Sequence, residues 1–357
     1  MQLPEHGANS ARLYHSIGLP VPEKVLDFSE NCNPAGLPPS VEAAWPDLIT
    51  KLISYPDPDG EPFKSAAAAY HGIDPQQVLA GNGAAELLSL LARRYREKRV
   101  LLIDPTFSEY RATLAANEAE VVCIQAEEAE AFRLPVKKIL EALPNADAVY
   151  LCTPNNPTGL LPTPAELLTV IEAAKYCGAE VVLDEAFIDF ADEEKSFIAH
   201  IQQHAHVIVV RSMTKMYTIP GIRLGYLVAE PAIIASIKQQ APHWHVNGLA
   251  AEIGVLCLKE EAYREQAVRH AEKERRKMSD FLRLHGCQVV DSQANYLIFK
   301  PAQESGKLYR YLLGRGYVLR HSENFRGMDG RWLRVGMKTA AMMEQLREEM
   351  DAWFAQQ

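Results

Sequence analysis

The sequence predicts an α/β protein with a mostly parallel central sheet and a smaller α+β domain behind it. Three observations predict this. Between about residue 78 and residue 230, short apolar runs alternate with helix-like stretches, the pattern of strands joined by crossover helices. After about residue 246 the alternation gives way to one long helical stretch followed by short strand-like runs. The length of 357 residues suits two domains or one large one.

The elements follow in order. Helix-like "AAELLSLLARRY" (84–95) leads into the apolar run "RVLLID" (99–104). Helix-like 108–118 precedes the run 119–126, and strand 147–152 precedes a helix over 164–178. That helix is announced by Thr163, Pro164 and Glu166, a capping box with proline at the first helical position. Strands follow from 180, 206 and 224. The second region reads as a helical stretch to Gly286, strands at 295–300, 317–321 and 332–337, a helix at 305–316 and a terminal amphipathic helix. The first 45 residues show little periodicity and read as an arm packing near a site. The domain limits are therefore 1–45, 46–246 and 247–357.

Bulk properties exclude several classes. The net charge is −9, which argues against a nucleic-acid surface. No apolar run approaches the roughly 18 residues of a membrane span, and the N-terminus lacks a signal-peptide pattern. The six cysteines form no CxxC pair and read as buried, reduced thiols. The cytoplasm is the expected location.

In parallel α/β sheets, ligands bind beyond the carboxyl ends of the strands. Five stretches fall there. "AGNGAAE" (80–86) opens a helix with glycines, which suits a phosphate. Glu86 stands where a dinucleotide fingerprint has a small third residue, so that motif is rejected. "CTPNNPTG" (152–159) sets Asn156 between prolines. "VVLDEAFIDF" (181–190) ends a buried run on Asp184 and Glu185, and an ionised Asp holds a proton on a ring nitrogen well. "RSMTKMYTIPGIR" (211–223) supplies Ser212, Thr214, Lys215 and Arg223. A desolvated lysine is a nucleophile toward carbonyls. In "RWLRVGM" (331–337), Arg334 lies within a strand-like run and calls for a carboxylate. A phosphate cup, a ring-nitrogen partner, a carbonyl-bonding lysine and a carboxylate clamp together match pyridoxal 5′-phosphate. "HWH" (243–245) lacks a third ligand, so no metal is expected; Glu185 with Asp189 reads as solvated or structural, and "KERRKM" (273–278) as a solvated helix face.

Taken with "HGAN" (6–9), "LDFSENCNP" (26–34), "YPDP" (55–58) and "HVNGLAA" (245–251), these motifs resemble the class I/II aminotransferase superfamily nearly end to end. The resemblance implies the aspartate-aminotransferase-like fold (fold type I). Within the superfamily the chain is most similar to the branch that decarboxylates L-threonine O-3-phosphate in cobalamin synthesis, with the histidinol-phosphate aminotransferases as near relatives. The resemblance makes Lys215 the lysine that bonds the cofactor aldehyde, Asp184 the pyridine-nitrogen partner and Asn156 the ligand of the ring hydroxyl. It puts Gly83, Ala84, Ser212, Thr214 and Arg223 at the cofactor phosphate, and Phe107 on the ring face. Tyr55 resembles a tyrosine that reaches the phosphate from a neighbouring subunit, which implies a homodimer with shared sites. Arg334 falls at the substrate carboxylate and Arg320 near the substrate phosphate. His6, Asn9 and Asn33 lie in the arm that closes over a phosphorylated amino acid. The chain departs from the pattern at Phe187, where many members have tyrosine, at Ala8 of "HGAN", and at His245.

Overall fold

The computed structural model describes residues 3–4 and 7–356. A seven-stranded sheet runs in the order Val78–Gly81, Gly225–Val228, Val207–Ser212, Glu180–Asp184, Ala148–Cys152, Arg99–Asp104, Glu120–Gln125. The pairs among the last five strands are parallel. Gly225–Val228 is antiparallel to both of its neighbours. Alternate residues of these strands enter opposite cores. Leu101, Val149, Val181, Leu183 and Val209 face one cluster, while Val100, Leu102, Tyr150, Val182 and Ile208 face the other. Burial on both faces explains why the strands are continuous Val/Ile/Leu runs and not alternating ones.

The predicted helices appear as Gly83–Arg94, Ser108–Ala116 and Pro164–Cys177. The capping box forms: Glu166 N donates to Thr163 Oγ1 at 3.2 Å and Thr163 N to Glu166 Oε2 at 2.8 Å. The helical stretch after residue 246 divides into Gly248–Leu258 and Glu261–Leu284. The first of these, with Tyr263, Ala267 and Ala271 of the second, packs into one of the large-sheet cores.

Behind them lies a four-stranded antiparallel sheet, ordered Arg320–His321, Leu333–Gly336, Tyr296–Lys300, Gln288–Val289. The final helix, Ala340–Phe354, packs beside it through Met343, Leu346 and Met350. The N-terminal segment is more regular than its sequence suggests. Ser10–Ile17 is a helix that packs Leu13, Tyr14 and Ile17 into the same core. Asn9 caps it, accepting from Arg12 N, and Gly18 ends it in the left-handed region. A helix of this length carries too few apolar repeats for periodicity to register.

All six cysteines are free. Cys123 is exposed, against expectation, because its strand lies at the sheet edge and its side chain faces outward. Among the described residues, no helix is long and apolar enough to cross a membrane.

Candidate active site

The strand ends converge. Cys152 is in register with Asp184, Asp184 with Val210, and Ser212 with Gly225, which also pairs with Gly81. This register gathers Asn156, Asp184, Ser212, Lys215 and Gly83 at one edge of the sheet, as the strand-end rule requires.

Lys215 Nζ donates to Ser212 Oγ at 2.9 Å and lies 5.7 Å from the Phe187 ring centroid. Burial pulls its pKa below the ordinary lysine value, and the Asp184 charge opposes that fall. Among the described residues, no carboxylate stands within ion-pair distance of it.

Asp184 is 5% exposed. Its Oδ2 accepts from Tyr110 OH at 2.6 Å and its Oδ1 from Ala186 N at 2.9 Å. Burial raises its pKa, while these two bonds and the Lys215 charge hold it down. Tyr110 was not among the sequence candidates. It stands three residues after Phe107 in "PTFSEY", and the two rings meet edge-on at 5.6 Å. The missing signal was the first turn of Ser108–Ala116, which points Tyr110 under the sheet end.

The glycine cup at the start of Gly83–Arg94 is narrow. Gly83, at φ +78°, begins its helix, and a Cβ there would stand 2.7 Å from Arg223 Nη2. A Cβ on Gly225 would come within 2.8 Å of Ala84 N. Ser212 Oγ and Thr214 Oγ1 are 2.9 Å apart. Arg223 Nη1 donates to Pro220 O at 3.0 Å, and among the described residues no carboxylate pairs with this guanidinium.

Arg334 is 7% exposed. Nη1 donates to Asn156 Oδ1, and Nη2 to Ser29 O at 2.7 Å. Nε is buried without a partner, and no described carboxylate forms an ion pair with the group. Burial lowers its pKa to about 10. Arg320 stands directly across the strand pair from Arg334. It bonds Pro4 O at 2.9 Å and Asn324 Oδ1 at 2.7 Å.

The remaining candidates are more dispersed. Asn33 is buried; its Nδ2 donates to Met216 O and its Oδ1 accepts from Ala35 N. Asn9 caps its helix and lines a small cleft with Arg320. His6 lies outside the described residues. Tyr55 is 86% exposed, with its ring 5.4 Å from that of Trp244. Phe187 has no hydroxyl for the site and packs edge-on against Tyr296 at 5.0 Å. Glu185 and Asp189 belong to a buried cluster on Arg211, away from Lys215. His245 Nδ1 is 2.7 Å from Glu86 Oε2, and no group of metal-binding side chains occurs among the described residues.

The donor set fits pyridoxal 5′-phosphate. An amine without a carboxylate partner, a buried carboxylate fixed by Tyr110, and a glycine cup facing Arg223 supply what an aldehyde, a ring nitrogen and a phosphate need. Such a site on such a sheet defines a lysine-anchored, cofactor-dependent α/β enzyme, and the chain belongs to the aminotransferase class I and II family, which it matches over residues 23–350. Within the family it is 38% identical to the threonine-phosphate decarboxylase of Salmonella typhimurium, over 96% of this chain and 94% of that one. Among solved structures, L-threonine-O-3-phosphate decarboxylase from Porphyromonas gingivalis superposes with a TM-score of 0.79 at 25% identity, covering 92% of this chain and 99% of that one. Histidinol-phosphate aminotransferase from Clostridium acetobutylicum superposes with a TM-score of 0.89 at 27% identity, covering 93% and 100%.

Proposed function

We propose that the chain catalyses the pyridoxal-phosphate-dependent decarboxylation of L-threonine O-3-phosphate to (R)-1-aminopropan-2-yl phosphate, a step of cobalamin biosynthesis. The observation that carries this reading is the register of Arg320 and Arg334. Two buried cations set side by side suit a short substrate with two acidic ends, a carboxylate and a phosphate. The similarity to the Salmonella decarboxylase supports the same substrate.

Bound here, pyridoxal phosphate supplies an aldehyde that bonds amines and a protonated ring that accepts an electron pair from a bond at Cα. The chain's residues do the rest. Lys215 Nζ, poorly hydrated and lowered in pKa, is the amine that bonds the aldehyde. Asp184, held by Tyr110 and Ala186, keeps a proton on the ring nitrogen. Asn156 would hold the ring hydroxyl, and Phe107 would pack on the ring face. Gly83, Ala84, Ser212, Thr214 and Arg223 hold the phosphate. Arg334 receives the substrate carboxylate, and Arg320 the substrate phosphate, beside Asn9 of the arm.

Arg334 already donates to two neutral carbonyl oxygens, those of Asn156 and Ser29. Its hold on the carboxylate is thereby moderated. That matters because the carboxylate loses its charge as carbon dioxide leaves, and strong ground-state binding would oppose the reaction.

We further propose a homodimer. Trp45, Ile49, Leu52, Ile53 and Tyr55 form an exposed apolar stretch, the kind of surface that marks an interaction site. Paired there, each subunit offers Tyr55 to its partner's phosphate cup. The cytoplasm, which keeps thiols reduced, suits six free cysteines.

The deciding assay gives purified protein L-threonine phosphate alone. Release of carbon dioxide without a keto acid supports the decarboxylase. A requirement for 2-oxoglutarate, with glutamate as product, makes the chain a histidinol-phosphate-type aminotransferase instead.

A further inference from the structure

Residues 26–33 form a strap between the small sheet and the turn that carries Lys215. Leu26 and Asp27 pair in parallel with Tyr317 and Val318. Phe28 O then accepts from Gly336 N at 2.9 Å, Ser29 O from Arg334 Nη2 at 2.7 Å, and Asn31 O from Asn295 Nδ2 at 2.7 Å. The contact is close: a Cβ on Gly336 would stand 2.7 Å from Glu30 O. Glu30 and Lys338 add an ion pair at the same place.

Immediately afterwards the same chain bonds the other side. Asn33 N donates to Lys215 O at 2.9 Å, and Asn33 Nδ2 donates to Met216 O at 3.1 Å. Thr218 Oγ1 donates to Asn33 O at 2.7 Å. Asn33 is 2% exposed, and its side-chain oxygen is taken by Ala35 N. Its amide is therefore committed to the Lys215 turn and not turned toward a substrate. Between Asn31 and Asn33 lies only Cys32, whose N donates to Glu30 Oε2 at 2.8 Å. An extended link this short transmits a displacement instead of absorbing it, since its backbone is pinned at both ends.

We propose that Asn33 is a positioning residue, which fixes the turn carrying Lys215 to the sheet carrying Arg334 through the strap 26–33. A shift of Arg334 on its ligand is thereby delivered to Lys215. This rests on Lys215 being the cofactor-bonding amine, but the mechanical link has a readout of its own.

Two variants test it in the holoenzyme. Asn33→Ala removes the amide from Met216 O. Asn295→Ala removes only the bond to Asn31 O, on the far side of the strap. Both quicken amide hydrogen exchange in the peptide spanning residues 212–220. In both, the pH midpoint of the bound cofactor's absorbance moves upward, as water reaches the Lys215 nitrogen and lessens the burial penalty on its charged form. For Asn33→Ala, kcat falls about tenfold or more while KM changes less than about threefold, the signature of misplaced chemistry and not lost binding. Unchanged exchange in that peptide in Asn33→Ala overturns the proposal. Should Asn33→Ala not fold, unchanged exchange in Asn295→Ala does so. If exchange quickens but the wild-type protein takes up no cofactor, the strap stands and the reading of Lys215 falls.

Discussion

Arg320 and Arg334 stand directly opposite one another on adjacent antiparallel strands, both buried. Opposed residues in such a pair have Cβ atoms only about 5 Å apart. Residues so paired project from the same face of the sheet, and a ligand with two acidic ends would suit them.

The two arginines are separable by ligand. Arg334→Ala weakens L-threonine phosphate by about tenfold or more, a loss of some 2 kcal/mol for one desolvated charge partner. It leaves inhibition by the product phosphate nearly intact, because that molecule has no carboxylate. Arg320→Ala weakens both. Inhibition and saturation curves on the two variants check this, and equal losses for both ligands in Arg334→Ala would refute the assignment.

Tyr110→Phe removes the 2.6 Å bond to Asp184 Oδ2. That bond holds the Asp184 pKa down against burial. Without it the carboxylate is harder to keep ionised and holds a ring-nitrogen proton less well. Cofactor affinity falls by roughly ten- to a hundredfold, the worth of a hydrogen bond to a charged group. Fluorescence titration of the apoprotein with pyridoxal phosphate measures it.

Glu185 titrates against stability. Its carboxyl is buried between Ser196 Oγ and Phe197 N, with Arg211 at 3.6 Å. Burial raises its pKa from 4.5 to about 7, and the Arg211 charge opposes the rise. In that window the folded chain keeps a proton that the unfolded chain has released. Stability from this group is therefore full below about pH 4.5 and declines as pH rises to about 7. Glu185→Gln removes the decline, worth about 3 kcal/mol. Urea unfolding across that range tests it; an unaltered pH slope in the variant refutes it.

Ile53→Glu places a charge in the exposed apolar stretch that includes Tyr55. If the proposed dimer forms through this stretch, sedimentation of the wild type will show a dimer and the variant will dissociate about a hundredfold more readily, as expected for a charge buried at an interface core. Cofactor retention should fall with it, because each cup would lose the Tyr55 proposed to reach it from the other subunit. A variant that remains dimeric removes this surface as the interface.

Much of the architecture was legible because local rules and the global fold agree. Continuous Val/Ile/Leu runs marked the doubly covered strands, and Thr163 with Glu166 marked a helix start that forms as read. What escaped was set by neighbours distant in the chain. Gly225–Val228 reads like its parallel neighbours, and only its partners turn it antiparallel. Ser10–Ile17 is too short for a periodic signal, although Asn9 and Gly18 cap it.

The site divides along the same line. Lys215, Asp184, Asn156, Arg223 and Arg334 stood out as candidates because strand ends are where an α/β sheet exposes chemistry. The sequence by itself determined the strand order's raw material, the candidate donor set and the family. Only the tertiary structure decided that Tyr110 holds Asp184, that Arg320 faces Arg334, and that Asn33 serves the Lys215 turn. Those relationships join residues between 14 and 182 positions apart. Register and packing set such distances, and no local pattern encodes them.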